Sequence, residues 1–346
     1  MKICWFGIYD REYNRNSVLI DGLIESGVGV IECNVIGKGF GKYIDLIKKL
    51  RSQRNEYDVL FCAFPVHVCI FIAYFFQSKP IFADAFFPKY ESVVYDRKTV
   101  SKFSPKAFWY YLLDLAMVKL AKHLITDTEQ HKEYWERFVK KDKISVIPVG
   151  VNTKEFFPIE TVRQSKDFLV QFHGSYIPLQ GIDKIVETAN ILKDDKSIKF
   201  RFIGKGQIYK EIKLMIDKYQ LDIELIPWLS IPELNKKLNE ADIILGVFGE
   251  TDKADRVVPN KVFQGLAVKK SVITKDTPAI RSLFNDEEIF MCSNSPQDIA
   301  DSIMLLHKNK ELRQSLSQNG YNICMRKFSE KKVPELLVGK LYCYGR

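Results

Sequence analysis

Nowhere in this chain of 346 residues do two cysteines form a Cys-x-x-Cys pair. The seven cysteines (Cys4, Cys33, Cys62, Cys69, Cys292, Cys324 and Cys343) are odd in number, so they do not close into a complete disulfide framework. They read as reduced, mostly buried thiols of a cytoplasmic protein. An unbroken apolar run of membrane-spanning length is also missing. The most apolar stretch, Val59 to Phe76, is interrupted by Pro65 and His67 and divides into a strand over Val59–Phe64 and a helix over Val68–Phe76. The opening run Ile3-Cys4-Trp5-Phe6-Gly7-Ile8-Tyr9 is too short for a secretory signal and suits a first buried strand. No segment interleaves Arg and Lys with exposed aromatics in a nucleic-acid pattern, so nucleic acid is not an expected partner.

What the chain does have is the composition of a globular protein, with 46% hydrophobic and 27% charged residues. Its length exceeds one ordinary core and suggests two domains of about 150 residues each. The formal charge of +9 is spread over both halves: 22 basic against 17 acidic residues up to Asn152, and 30 against 26 beyond it. Such an excess suits a polyanionic partner, a phosphorylated substrate or an anionic membrane surface.

Short apolar runs alternate with amphipathic stretches, the pattern of parallel sheets with crossover helices. The first half predicts strands over Lys2–Gly7, Val30–Val35, Val59–Ala63, Pro80–Ala83, His123–Thr126 and Ile144–Ile147. The second predicts them over Phe168–Phe172, Lys199–Ile203, Ile223–Ile226, Ile243–Val247, Ser271–Thr274 and Ile289–Met291. Ile182, Ile185, Val186, Ala189 and Leu192 make a helical stripe. A turn-rich hinge near Pro148–Pro158 then separates two doubly wound, Rossmann-like α/β domains, 1–152 and 153–328. A C-terminal helix over 329–346 is expected to cross back onto the first domain. Ligands of such folds bind beyond the carboxyl ends of the strands.

Four stretches of the second half fall at strand-to-loop junctions. Phe172-His173-Gly174-Ser175-Tyr176-Ile177-Pro178-Leu179-Gln180-Gly181 lets a ligand approach backbone at its glycines and leads into a helix N-terminus, which attracts anions. Gly204-Lys205-Gly206 is a second glycine-paired strand end, for which a plain tight turn is an equal reading. In Ile226-Pro227-Trp228-Leu229 an exposed Trp228 would hold a nucleotide base, a buried one would only pack. The fourth runs from Gly246-Val247-Phe248-Gly249-Glu250 to Arg256-Val257-Val258-Pro259-Asn260-Lys261-Val262-Phe263-Gln264. Lysine is unfavourable in the first turn of a helix, so Lys261 beside Arg256 suggests an anion served by both, against a solvated basic loop. In the first half, His67 and Asp84 stand at strand ends.

This ordered set resembles the retaining GT-B glycosyltransferases, glycosyltransferase family 4-like (glycosyl transferases group 1), which include bacterial capsule, lipopolysaccharide and mannosyl transferases. The resemblance covers roughly Ile144 to Phe328, opening with Ile147-Pro148-Val149-Gly150-Val151-Asn152 and continuing through Ala241-Asp242-Ile243-Ile244-Leu245-Gly246 and Ser271-Val272-Ile273-Thr274. It implies a GT-B fold of two Rossmann-like domains facing a cleft, with a nucleotide-sugar donor on the second domain and an acceptor on the first. By the same resemblance the donor site takes in Gly174, Ser175, Gln180, Gly204, Gly206, Trp228, Arg256, Asn260, Lys261 and Gln264. His67, Asp84 and Glu250 are the candidates for catalytic contact.

The chain departs from the family at telling places. Arg256 and Gln264, eight residues apart, occupy the positions of the family's two glutamates, and Gln180 that of its diphosphate-binding lysine. Gln264 can still meet a ribose hydroxyl, Arg256 suits a phosphate, and Glu250 is left for a sugar hydroxyl. No Asp-x-Asp tripeptide occurs, so neither a metal nor another cofactor is expected. The leaving diphosphate would rest on Arg256, Lys261 and helix N-termini. The resemblance implies a retaining transfer, with a donor phosphate oxygen taking the acceptor's proton. The expected acceptor is a glycan or a lipid-linked sugar of surface-polysaccharide synthesis. The helix through Ala107–Leu113, flanked by Lys102, Lys106, Lys119 and Lys122, could rest peripherally on an anionic membrane or simply belong to the core. A sugar-nucleotide epimerase and a non-catalytic partner of an active transferase are the rival readings. A dinucleotide oxidoreductase is disfavoured, because Gly37-Lys38-Gly39-Phe40-Gly41 follows the second strand instead of the first.

Overall fold

The computed structural model describes residues 1–37, 39–160 and 167–342; Cys343 and Lys38 lie outside the described residues. The chain divides into two compact units, Val151–Lys327 and a unit of Met1–Gly150 joined by the chain from Phe328 onward. In the first unit β1 (Lys2–Gly7), β2 (Gly29–Asn34), β3 (Val59–Cys62), β4 (Ile81–Asp84), β5 (His123–Thr126) and β6 (Ile144–Val146) form one parallel sheet in the order β2-β1-β3-β4-β5-β6. In the second, β7 (Phe168–His173), β8 (Ile198–Ile203), β9 (Ile223–Ile226), β10 (Ile243–Leu245), β11 (Ser271–Lys275) and β12 (Phe290–Cys292) run parallel in the order β12-β11-β10-β7-β8-β9. The strands over Lys2–Gly7, His123–Thr126 and Ile223–Ile226 end where the sequence predicts, and the others shift by one or two residues.

Period-two alternation explains how the first sheet is covered on both faces. Cys4 and Phe6 of β1, with Leu60 and Cys62 of β3, enter one core beneath the helices Gly41–Ser52 and Cys69–Phe76. Ile3 and Trp5, with Val59 and Phe61, enter the other, where the Trp5 and Phe61 rings stack at 4.0 Å. That second core is closed by Val18 and Leu19 of the helix Asn14–Glu25 and by Val333, Leu337 and Leu341. The three last-named lie one helical turn apart on Val333–Tyr342, which is why the end of the chain belongs to the first unit. In the second unit the stripe Ile182, Ile185, Val186, Ala189 and Leu192 is buried against Val170, Phe172, Phe200 and Phe202.

One ion pair ties the first unit together. Arg15 sits in the first turn of the helix Asn14–Glu25, a position the helix dipole disfavours for a cation. Its guanidinium donates from Nε and Nη2 to Asp84 at the end of β4, at 2.8–2.9 Å, and from Nη1 to the Ile147 carbonyl at 3.0 Å. Both side chains are fully covered. Desolvated charges held so completely cost more when one partner is lost than the pair itself contributes. Asp84→Ala should therefore lower stability by about 3–5 kcal/mol, and combining it with Arg15→Met should recover a large part of that loss. Urea unfolding of the two single variants and the double variant checks this; additive losses would contradict it.

Candidate active site

The second sheet reverses its winding between β7 and β10, so the loops leaving these neighbouring strands part in opposite directions and open a crevice at their carboxyl ends. The β7 loop carries Gly174 and Ser175 and continues through the turn Pro178–Gln180 into the helix Ile182–Ile191. The β10 loop carries Gly249 and Glu250 and runs through the turn Ala254–Arg256 to the helix Asn260–Ala267.

Close backbone approaches fix these loops. A Cβ on Gly204, at the end of β8, would stand 2.1 Å from the Gly174 carbonyl oxygen, and its φ of +129° is also one that favours glycine. The paired glycines Gly204 and Gly206 thus let the β8 loop lie directly on the β7 loop. On the other side, a Cβ on Gly249 would come within 2.2 Å of the Leu179 oxygen, and Phe248 donates its N–H to the Gln180 carbonyl at 3.1 Å. Lys275 pins the same stretch from β11, donating to the Gly249 carbonyl at 3.2 Å and pairing with Asp255 at 2.8 Å.

Into this frame the helix Asn260–Ala267, begun by Pro259, projects Lys261. The amine donates to Gln180 Oε1 at 2.5 Å and lies 3.6 Å above the centre of the Phe172 ring, with only 4% of the residue exposed. It rests against the backbone of Gly174, where an added Cβ would meet Nζ at 3.3 Å. Burial pushes its pKa well below the ordinary lysine range, and no carboxylate offsets that among the described residues. One turn further on, Gln264 accepts at Oε1 from His173 Nε2 at 2.9 Å. Burial, and then the neighbouring Lys261, push His173 down to about 3, so its ring is neutral. With Nε2 as the donor, Nδ1 of His173 stays a buried acceptor without a hydrogen-bond partner among the described residues. Gln264 has its oxygen committed to that ring and offers a ligand its N–H groups.

The remaining candidates surround this centre at different distances. Arg256 lies in the β10 loop with its side chain one-quarter exposed, 3.8 Å from Asp252. Asn260 opens the helix that carries Lys261, and Ser175 follows Gly174, both half-buried. Glu250 is exposed and pairs with Lys184 at 3.2 Å. Trp228 follows β9, two strands out from β7, and is 48% exposed, so it is not the buried, packing residue of the alternative reading.

The two first-unit candidates belong to a different unit and differ from each other. His67 is mostly covered, with Nε2 3.8 Å from Asp114 Oδ1. Asp114 accepts from the backbone N–H groups of Lys89 and Tyr90 at 3.0 and 2.8 Å. Burial pushes Asp114 up to about 7 and, with Lys89 adding to it, His67 down to about 4. Asp84, by contrast, is sealed beneath Arg15 and offers no oxygen to a ligand; the strand end that made it a catalytic candidate is inside the core. Sequence reasoning named neither His173 nor Asp114 as site residues. The first could have been found from its place directly before Gly174, whereas the 47 positions that separate His67 from Asp114 carried no local signal.

The comparisons with known proteins bear on this geometry. The family model described as "Glycosyl transferases group 1" matches residues 153–323. An uncharacterized glycosyltransferase, MJ1178 of Methanocaldococcus jannaschii, is 26% identical over 171 residues, covering 46% of this chain and 44% of the relative. A probable sucrose-phosphate synthase of Thermosipho melanesiensis is 26% identical over 225 residues, covering 61% of this chain and 52% of the relative. The chain thus spans about half the length of the curated relatives it matches. Among solved structures, Anabaena HepE in complex with UDP and glucose aligns with a TM-score of 0.74 at 14% identity, covering 99% of both chains. Sucrose-phosphate synthase from Thermosynechococcus elongatus aligns with a TM-score of 0.77 at 13% identity, covering 99% of this chain and 98% of the other. Two doubly wound parallel sheets and these neighbours make the fold GT-B.

Lys261 yields a test that separates binding from folding. Burial holds the folded amine's pKa below that of the unfolded lysine, which keeps its proton to about pH 10, so its contribution to stability rises with pH across that range. Lys261→Met should therefore melt at the same temperature as the wild type or higher near pH 7. The gap between the two should narrow or reverse toward pH 10. Melting curves across this range check it, and a constant deficit in the variant would show that the amine serves packing.

Proposed function

With residues 153–323 forming a glycosyl transferases group 1 domain, we propose that the whole chain is a glycosyltransferase that moves a sugar from a nucleotide diphosphate to a glycan or lipid-linked acceptor. The observation that carries this reading is Lys261. A buried amine without a carboxylate, set against the backbone of Gly174 at a topological switch point, is built to gain its charge from an arriving anion. The family's diphosphate lysine is Gln180 here, and the side chain that touches Gln180 is Lys261. The positive charge is thus supplied from the β10 side of the crevice, with Arg256 as its second source.

In this reading the second unit takes the donor, with Gly174, Ser175, Gly204 and Gly206 giving backbone to the phosphates. Asn260 and Gln264 turn to the ribose, Trp228 to the base and Glu250 to a sugar hydroxyl. The acceptor oxygen bonds to the anomeric carbon as the bond from that carbon to the phosphate oxygen breaks. A donor phosphate oxygen receives the acceptor's proton, the configuration is retained, and Lys261 and Arg256 stabilise the leaving diphosphate without a metal. His67, neutral at physiological pH, is the first-unit group proposed to meet the sugar. A uridine diphosphate donor is favoured by the solved neighbours, one of which is a complex of HepE with UDP-glucose. The resemblance to surface-polysaccharide transferases supports reading the reaction as a step of glycoconjugate synthesis, expected at the cytoplasmic side.

The test is a thermal-shift panel of UDP-, GDP-, ADP- and TDP-sugars with and without EDTA, followed by product analysis with and without acceptor. One nucleotide sugar should raise the melting temperature independently of EDTA, and Lys261→Met and Arg256→Ala should each weaken that binding by about tenfold or more. Calorimetry in buffers of different ionisation enthalpy should show proton uptake on binding, absent in Lys261→Met. Binding without turnover would favour the non-catalytic partner, whose attraction is Arg256 in place of a glutamate. Sugar conversion without acceptor would favour the epimerase.

A further inference from the structure

The first unit carries an exposed surface that the sugar-transfer chemistry does not use. It spans the turn before the helix Pro105–Leu120 and the first half of that helix. Phe103 is 91% exposed, Phe108 61% and Trp109 52%, with Tyr95 and Leu112 also exposed. From Arg97 to Leu113 the sequence contains Arg97, Lys98, Lys102 and Lys106 and no acidic residue. All four cations are exposed, whereas the nearest acids in sequence, Glu91, Asp96 and Asp114, are buried. The surface is therefore both aromatic and single-signed. Ser104 caps the helix by accepting from the Ala107 N–H at 3.1 Å, and Pro105 follows it, so Phe103 is held outward by an ordered turn. Beside it runs a groove of about 400 Å³ lined by Tyr90, Lys102, Phe103, Ser104, Phe108 and Tyr111.

We propose that this face, centred on Phe103, Phe108 and Trp109, docks the chain onto the surface of a bilayer containing anionic phospholipid. The choice among occupants follows from residue chemistry. Interfaces between proteins are depleted of lysine, whereas aromatic rings at headgroup depth with lysines reaching the phosphates are what an interfacial surface requires. Trp109 and Tyr95 can each place an apolar body below a polar tip, and Phe103 enters deepest. Lys102, whose amine lies within 6 Å of both the Tyr95 and Phe103 rings at 5.9 and 5.8 Å, brings charge to the point of entry. No helix among the described residues is long and apolar enough to cross a membrane, so the contact is a surface one. It extends the membrane alternative for the helix through Ala107–Leu113, whose outer face proves to be exposed.

The test is co-sedimentation of the full chain with vesicles of phosphatidylcholine alone and with about one-third phosphatidylglycerol, at low and high salt. The wild type should pellet with the anionic vesicles at low salt and shift the Trp109 emission to the blue, a shift missing from Trp109→Phe. Phe103→Ser with Trp109→Ser, and separately Lys102→Glu with Lys106→Glu, should each cut vesicle binding about tenfold. Nucleotide-sugar binding in the same variants reports folding and stands or falls independently of the lipid result. Equal pelleting with both vesicle types, no pelleting at low salt, or unchanged binding in both double variants would overturn the proposal. So would a wild-type dimer in solution that the Phe103→Ser, Trp109→Ser variant dissociates, because a second copy would then own the surface.

Discussion

A parallel sheet must be covered on both faces, and its strands must all be re-entered from the same end. That constraint organises this chain twice. It explains the buried strands β3, β4, β5 and β7, the crossover helices with their single apolar stripes, and the return of Val333–Tyr342 to close a face of the first sheet. It also collects every strand-to-helix loop at one end, where the reversal between β7 and β10 parts two of them. The glycines of the site are consequences of the same crowding: Gly204 lies on Gly174, and Gly249 on Leu179, because loops from adjacent strands leave through the same narrow layer.

Against that scaffold, buried charge is used in two opposite ways. Arg15 and Asp84 satisfy one another completely, so neither has anything left for a ligand, and their effect is to join a helix, a strand and the Ile147 carbonyl. Lys261 is covered as thoroughly but has only an amide oxygen and a ring face, which leaves its proton loosely held. A fully paired charge is architecture; a buried amine without its counter-ion is, in the proposed function, where the anion arrives. His67 and Asp114 are intermediate, 3.8 Å apart and each left with a narrow exposure. On the surface the contrast is repeated, since the acids next to the Phe103 turn are turned inward and its lysines outward.

The parts of this structure that were legible in the sequence are those encoded within a few residues. Strand and helix periods, the glycines after β7 and β8 and the proline before Lys261 are local signals, and they located the strands to within one or two residues and the crevice loops with them. The family resemblance added a fold and a donor side because it too is an ordered run along the chain. Tertiary structure alone decided which partners those residues have. Gln180 and Lys261 are 81 positions apart, and His173 and Gln264 are 91 apart, so no local pattern could announce that each pair is bonded. Asp84 reads as a catalytic candidate at a strand end until Arg15, 69 positions earlier, is seen to cover it. The helix Pro105–Leu120 could be core or surface by its composition, and only the neighbours packed on its other side leave Phe108 and Trp109 outside. The sequence specifies local geometry because backbone propensity and period act over single turns, whereas burial, and with it protonation and access, is set by what the rest of the chain brings alongside.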